Sequence, residues 1–187
     1  MIPIPLEIVP RHIHLCTKDR RTLFGDAAWK KHAPLKHRGQ FFSGEHVQVK
    51  GPSGQTLLVP VFGPERERTQ LELSAVEAAA LGIKAPVRFS GDKKRGGAVA
   101  LEGPEGKIKK IACAMLPVRH IHVSAAQAKQ QGWHHMDSVS LTTVSAPARI
   151  IPHVMIRVHP TFRSAFHLTM DEAILYGVQA GENFYVS

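Results

Sequence analysis

The chain has 187 residues, of which 43% are hydrophobic and 21% charged, so it can build one large core or two small ones in the manner of a folded globular protein. Its formal charge of +9 favours an anionic partner, yet only 6% of residues are aromatic and no RNP, zinc-finger or basic-helix signature interleaves with the Lys and Arg, which argues against nucleic acid. Cys16 and Cys113 are too few for a disulfide framework or a thiolate metal cage, and no apolar run approaches the roughly 20 residues a membrane helix needs, so a cytoplasmic location is expected.

Residues 1–9 lack the basic start and long apolar region of a signal peptide and lead straight into Arg11-His12-Ile13-His14-Leu15. A short helix is predicted from Lys18 to Phe24, stopping at Gly25. Alternating patterns then read as strands at His46–Lys50 and Leu57–Val61, joined by the turn Gly51-Pro-Ser-Gly54. Thr69 to Gly82 contains Ser74 and Glu77 in capping-box spacing, which opens a second short helix. Strand patterns return at Ala98–Leu101 and Lys107–Lys109, around a Gly103–Gly106 turn.

The first motif recurs as Arg119-His120-Ile121-His122-Val123, again before a helix, here with a Ser124/Gln127 capping box and a stop at Gly132. Further strands are predicted at Val139–Leu141 and Ile150–Val158. Placing Gly82 on Gly177 aligns the earlier helix with Ser164–Gly177, so that Ser74 and Glu77 match Thr169 and Glu172, and Glu72 falls on His167. Many short strands with few helices indicate a mainly β protein, read as two similar β-barrel halves with short capping helices. The halves are expected at residues 1–90 and 91–187, joined near Lys84 to Arg95.

Residues two apart in a strand share a face, so each His-Ile-His sets two imidazoles side by side while Ile13 or Ile121 turns to the core. Imidazole suits zinc, and a catalytic zinc takes three protein ligands. The repeat provides the third, giving candidate metal sites His12, His14, Glu72 and His120, His122, His167. A lone HxH is more often a structural feature; two copies, each with a ligand-type partner at a repeated position, reverse that. Arg66 and Arg68 precede Glu72 and suit bidentate phosphate binding, with a solvated charge run as the alternative for Arg68. Arg11 and Arg119 fit either phosphate or ligand-anchoring roles, or structural ion pairs. No GxxxxGK[ST] or GxGxxG occurs, so an NTPase or dinucleotide-dependent dehydrogenase is unsupported.

The ordered set Pro10–Leu15, Gly39–Phe42, Phe62–Arg66, Thr69–Ser74, Leu81–Arg88 with Ser90–Asp92, Arg119–His122 and His167–Ala173 resembles the PduL-type phosphate acyltransferases, also called phosphate propanoyltransferases or phosphotransacylases. The resemblance covers nearly the whole chain. It implies two β-barrels, two zinc ions on the ligand sets above, and Arg66 as the phosphate-site arginine. It also implies exchange of coenzyme A and inorganic phosphate on an acetyl or propanoyl group, with acyl-CoA and phosphate as partners. Direct transfer in a ternary complex is the expected mechanism, because no covalent acyl-enzyme is needed, and a homo-oligomer is compatible with the sequence. Members that enter microcompartments carry an amphipathic N-terminal segment; the first motif begins here at residue 10, so that segment is not expected. Cys16 stands where the family usually has Ser, and Ser164–Phe166 is less family-like. The rival readings are a two-zinc thioester hydrolase and a metal-dependent nucleic-acid-binding module.

Overall fold

A computed structural model describes residues 2–26, 28–35, 39–144 and 147–187. In chain order, its elements begin with β1 (Ile4–Val9), β2 (His12–His14), α1 (Thr17–Phe24), β3 (Ala33–Pro34), β4 (Phe41–Lys50) and β5 (Thr56–Gly63). There follow β6 (Gln70–Glu72), α2 (Ala75–Ala80), β7 (Val87–Arg88), β8 (Gly97–Glu102) and β9 (Lys107–Pro117). The last stretch carries β10 (His120–Val123), α3 (Ala125–Gln131), β11 (Ser138–Thr143), β12 (Ile150–Val158), β13 (Ala165–Thr169), α4 (Met170–Tyr176) and β14 (Asn183–Val186).

The chain forms two compact units, residues 11–117 and residues 1–10 with 118–187. In the first, β2 pairs β5, β5 pairs β4, β4 pairs β8, β8 pairs β9, β9 pairs β6 and β6 returns to β2, which closes a six-strand ring. In the second, β10, β12, β11, β14, β1 and β13 close a barrel in the same way. The two rings agree pair by pair in strand sense. The His-Ile-His strand is parallel to one neighbour (β5 or β12) and antiparallel to the other (β6 or β13), and that second neighbour runs parallel to β9 or β1. The mainly β, two-barrel reading therefore holds.

The boundary lies elsewhere than at residue 90. Residues 91–117 belong with the first barrel, because β8 pairs with β4 and β9 with β6. Residues 1–10 belong with the second, because β1 pairs with β13 and β14. Each sequence repeat thus places its leading strand, β1 or β9, in the barrel of the other repeat. The segment Lys84–Arg95 is no junction; it carries β7, which runs parallel to β9 within the first unit.

Each barrel has its own apolar core. Ile13 is fully buried among Leu15, Val47, Val59, Val61 and Leu71 in one, and Ile121 among Leu6, Val123, Ile156 and Phe166 in the other. Burying one such side chain stabilises a fold by about 1.5–3 kcal/mol, so the alternation within His-Ile-His anchors each strand while presenting its imidazoles. The helices start where expected. Ser74 and Ser124 each accept from the backbone N–H three residues on and are repaid by Glu77 and Gln127. At Gly51, which opens the predicted turn, a Cβ would stand 2.0 Å from the Leu81 carbonyl oxygen, so only glycine lets this turn cradle the end of α2. Among the described residues, no helix is long and apolar enough to cross a membrane.

Candidate functional site

In the first barrel the antiparallel ladder sets His12 opposite Glu72 and His14 opposite Gln70. One face of β2 and β6 therefore carries two imidazoles, a carboxylate and a carboxamide. All four residues are buried. His12 Nε2 lies 3.7 Å from Glu72 Oε1, and the His12 and His14 rings are 5.1 Å apart in an edge-to-face arrangement. Phe62 stacks on His12 at 4.7 Å.

Two atoms here suit a bound cation. Glu72 Oε1 and His14 Nδ1 are buried with no hydrogen-bond partner among the described residues, a costly state for a carboxylate unless a positive charge accompanies it. Burial lowers the His14 pKa to about 2, with the His12 and Arg66 charges adding to the effect and the Phe62 backbone opposing it. His14 is thus a neutral imidazole at physiological pH, the form a metal requires. The residue types suit a divalent ion of the zinc type, but among the described residues only the triad of the second barrel gathers its ligand atoms into one tight group.

In the second barrel His120 faces His167 across β10 and β13, and His122 lies two residues on. Their ligand atoms all fall within 4.8 Å of one another, and all three residues are buried. His120 Nδ1 lies 2.7 Å from the Val118 carbonyl, which can only accept, so the proton sits on Nδ1 and the Nε2 lone pair points inward. His167 Nδ1 is 3.0 Å from that Nε2. A tetrahedral zinc with Zn–N bonds of about 2.0–2.1 Å would hold two imidazole nitrogens at roughly 3.3 Å, close to this spacing. Phe162 stacks on His122 at 3.9 Å, as Phe62 does on His12.

Arg66 reaches the first site from the loop before β6. Its backbone N–H donates to Leu15 O at 3.0 Å, next to His14. Its Nη1 donates to Gln70 Oε1 at 3.0 Å and to Ser90 Oγ at 2.8 Å. Gln70 is itself bracketed, accepting from Gly91 N–H at 2.7 Å and donating to Asp92 O at 3.3 Å. Arg66 and Gln70 line a cleft of about 300 Å³ whose rim carries Arg68, Arg88, Lys94 and Arg95. Arg68 is exposed and donates to Lys93 O at 2.6 Å. Cys113 also lines this cleft, but burial pushes its pKa up to about 12, so it offers no thiolate at neutral pH.

Arg11 and Arg119 occupy equivalent places and do the same thing. Arg11 Nη1 donates to Glu77 and Arg119 Nε to Glu172, both at 2.7 Å, tying each His-Ile-His strand to the cap of the helix after β6 or β13. Arg11 also donates to Leu58 O and Arg119 to Pro152 O. Of the roles open to them in the sequence, these contacts are the structural ion pairs.

A family model described as phosphate propanoyltransferase matches residues 5–179. The chain belongs to the phosphate propanoyltransferase family. It is 34% identical over 183 residues to the phosphate propanoyltransferase of Salmonella arizonae, covering 97% of this chain and 87% of that relative. The phosphate propanoyltransferase of Thermotoga maritima is 35% identical over 178 residues (94% and 85%), and that of Rhodobacter capsulatus 32% over 177 (94% and 82%). This member of the phosphate propanoyltransferase family is accordingly an enzyme of the phosphate acyltransferase type, and neither the hydrolase nor the nucleic-acid reading is favoured.

Sequence reasoning missed Glu7, Gln70, Ser90 and the two stacking phenylalanines. Gln70 and Phe62 lie inside motifs of the family, but their partners come from loops and strands distant in sequence, which no local pattern announces. Glu7 sits in an apolar run and carries no signal at all.

Proposed function

We propose that the enzyme exchanges coenzyme A and inorganic phosphate on an acetyl or propanoyl group, with His12, His14 and Glu72 holding one zinc ion and His120, His122 and His167 another. In the direction of acyl phosphate, a phosphate oxygen forms a bond to the thioester carbonyl carbon. The C–S bond then breaks, and the thiolate of coenzyme A leaves and takes up a proton. Transfer is direct, within a ternary complex, so the chain needs no nucleophile of its own. A divalent ion supplies Lewis acidity and positive charge beside an anion.

What this chain's residues do is hold and orient. The single observation that carries the reading is the placement of Arg66, pinned by Leu15 O, Gln70 and Ser90 at the edge of a basic cleft and close enough to His14 to depress its pKa. A guanidinium so held offers phosphate a fixed, two-pronged set of donors.

The experiment is Arg66→Lys, which keeps the charge and removes the fork. Free coenzyme A release is measured against phosphate and against acetyl-CoA or propanoyl-CoA separately, with metal content and melting temperature recorded. The expected result is a loss of about a hundredfold in kcat/KM for phosphate, in line with losing one fixed electrostatic contact to a transition state. The acyl-CoA response, fold and metal content should stay near wild type. An unaltered phosphate response would remove Arg66 from the site, and steady thioester hydrolysis without phosphate would favour a hydrolase instead.

A further inference from the structure

His167 Nε2 lies 3.3 Å from Glu7 Oε2, a carboxylate on β1 brought alongside by the parallel register that sets Glu7 beside His167. That neighbour decides which nitrogen of His167 carries the proton. In the neutral imidazole, the form a metal ligand takes, a carboxylate that accepts from Nε2–H leaves the Nδ1 lone pair aimed at His120 Nε2, 3.0 Å away. The Val118 carbonyl has already fixed His120 in the form whose Nε2 is a lone pair. Two lone pairs at that distance in a buried site repel unless a proton or a metal ion lies between them. Glu7 and Val118 O together therefore create the demand for positive charge at the centre of the triad.

The other barrel supplies an internal control. The offset that carries His12 onto His120 and His14 onto His122 also carries Glu7 onto Met115, and Met115 neighbours Glu72 in the β6–β9 ladder as Glu7 neighbours His167 in the β13–β1 ladder. The two positions differ together. Where the third ligand is an imidazole with a second nitrogen to direct, the neighbour is a carboxylate. Where the third ligand is itself a carboxylate, with no N–H to place, the neighbour is a thioether that cannot repel it.

We infer that Glu7 is a positioning residue for metal binding by His120, His122 and His167: it fixes the tautomer of His167 and raises the affinity of that site, and Met115 leaves the first site without such support. This rests on the reading of the His120, His122, His167 triad as a metal site. Removing an acceptor behind a ligating imidazole typically weakens metal binding by about 10- to 100-fold.

The test is zinc affinity and stoichiometry, measured by competition with a chromophoric chelator in wild type, Glu7→Met and Glu7→Gln. In Glu7→Met, which copies the arrangement of the other barrel, one of two zinc equivalents should weaken by about 10- to 100-fold while the other keeps its affinity. Glu7→Gln keeps an acceptor oxygen but not its charge, so the same equivalent should weaken less. Nitrogen-15 spectra of the histidines in the metal-free protein should also show the His167 proton on Nε2 in wild type and redistributed in Glu7→Met. Wild-type affinities at both sites in a folded Glu7→Met protein would overturn the inference. If that variant does not fold, Glu7→Gln decides, and unchanged affinities there would overturn it equally. A zinc content unchanged by His122→Ala would instead sink the triad as a metal site, and the role of Glu7 with it.

Discussion

Cys16 occupies the N-cap of α1 with extended backbone and no side-chain capping bond, whereas α2 and α3 begin on serines that close full capping boxes. A thiol is a weak acceptor, so the first turn of α1 forgoes a bond that a hydroxyl would make. Its backbone N–H is already met by Thr69 Oγ1 at 3.0 Å, which leaves the side-chain position as the only change. Cys16→Ser should therefore stabilise the protein by roughly 0.5–1 kcal/mol, the ordinary worth of an N-cap. Thermal unfolding would check it, and a melting temperature at or below wild type would show that the sulfur packs better than a hydroxyl caps. Side chains of this kind are legible in sequence when their partner lies within a few residues. The six candidate ligands were legible for a different reason, since repetition brought out a pattern that one HxH could not carry. Glu7 was not, because its meaning depends on a strand more than a hundred residues away in the chain.

Strand β6 does the most work for its length. Its three residues are all buried, with Leu71 in the core and Gln70 and Glu72 on the face that meets His14 and His12. Gln70 thereby links the ligand face to Arg66 and to the loop at Ser90–Asp92. Gln70→Met, close in volume but unable to accept from Arg66 Nη1, should loosen the guanidinium and lower kcat/KM for phosphate on the order of ten- to a hundredfold, as small misplacements of binding groups do. Combined with Arg66→Lys, it should add little further loss, because both changes remove one function. Multiplying losses would mean that Gln70 acts elsewhere. At this scale the helices and most strands could be read from capping boxes and alternation, and Ile150–Val158 matches β12 end to end. The assignment of residues 84–95 as a junction failed because barrel closure is a matter of long-range pairing, and nothing local distinguishes a linker from a loop that lines a cleft.

Over the whole molecule, two barrels of like topology each carry a candidate ligand set on their own strands: β2 and β6 in residues 11–117, β10 and β13 in the other unit. Exchange of β1 and β9 between the repeats alters which strand backs each set without dividing either set between units. The two metals should therefore be lost one at a time. Elemental analysis of the purified protein should find close to two divalent ions per chain, and His122→Ala should retain one of them, because His12, His14 and Glu72 are untouched. An ion that binds the folded state alone adds stability through mass action. At a free concentration a thousandfold above its dissociation constant the gain is about 4 kcal/mol, which for a chain of this size shifts the melting temperature by about 10 °C. Chelation of the wild type should accordingly lower the melting temperature more than His122→Ala does, and chelating the variant should remove the remainder. Fewer than one ion per chain with full activity would overturn the two-site reading, and loss of both ions from His122→Ala would show that the sites depend on each other despite their separate ligand sets.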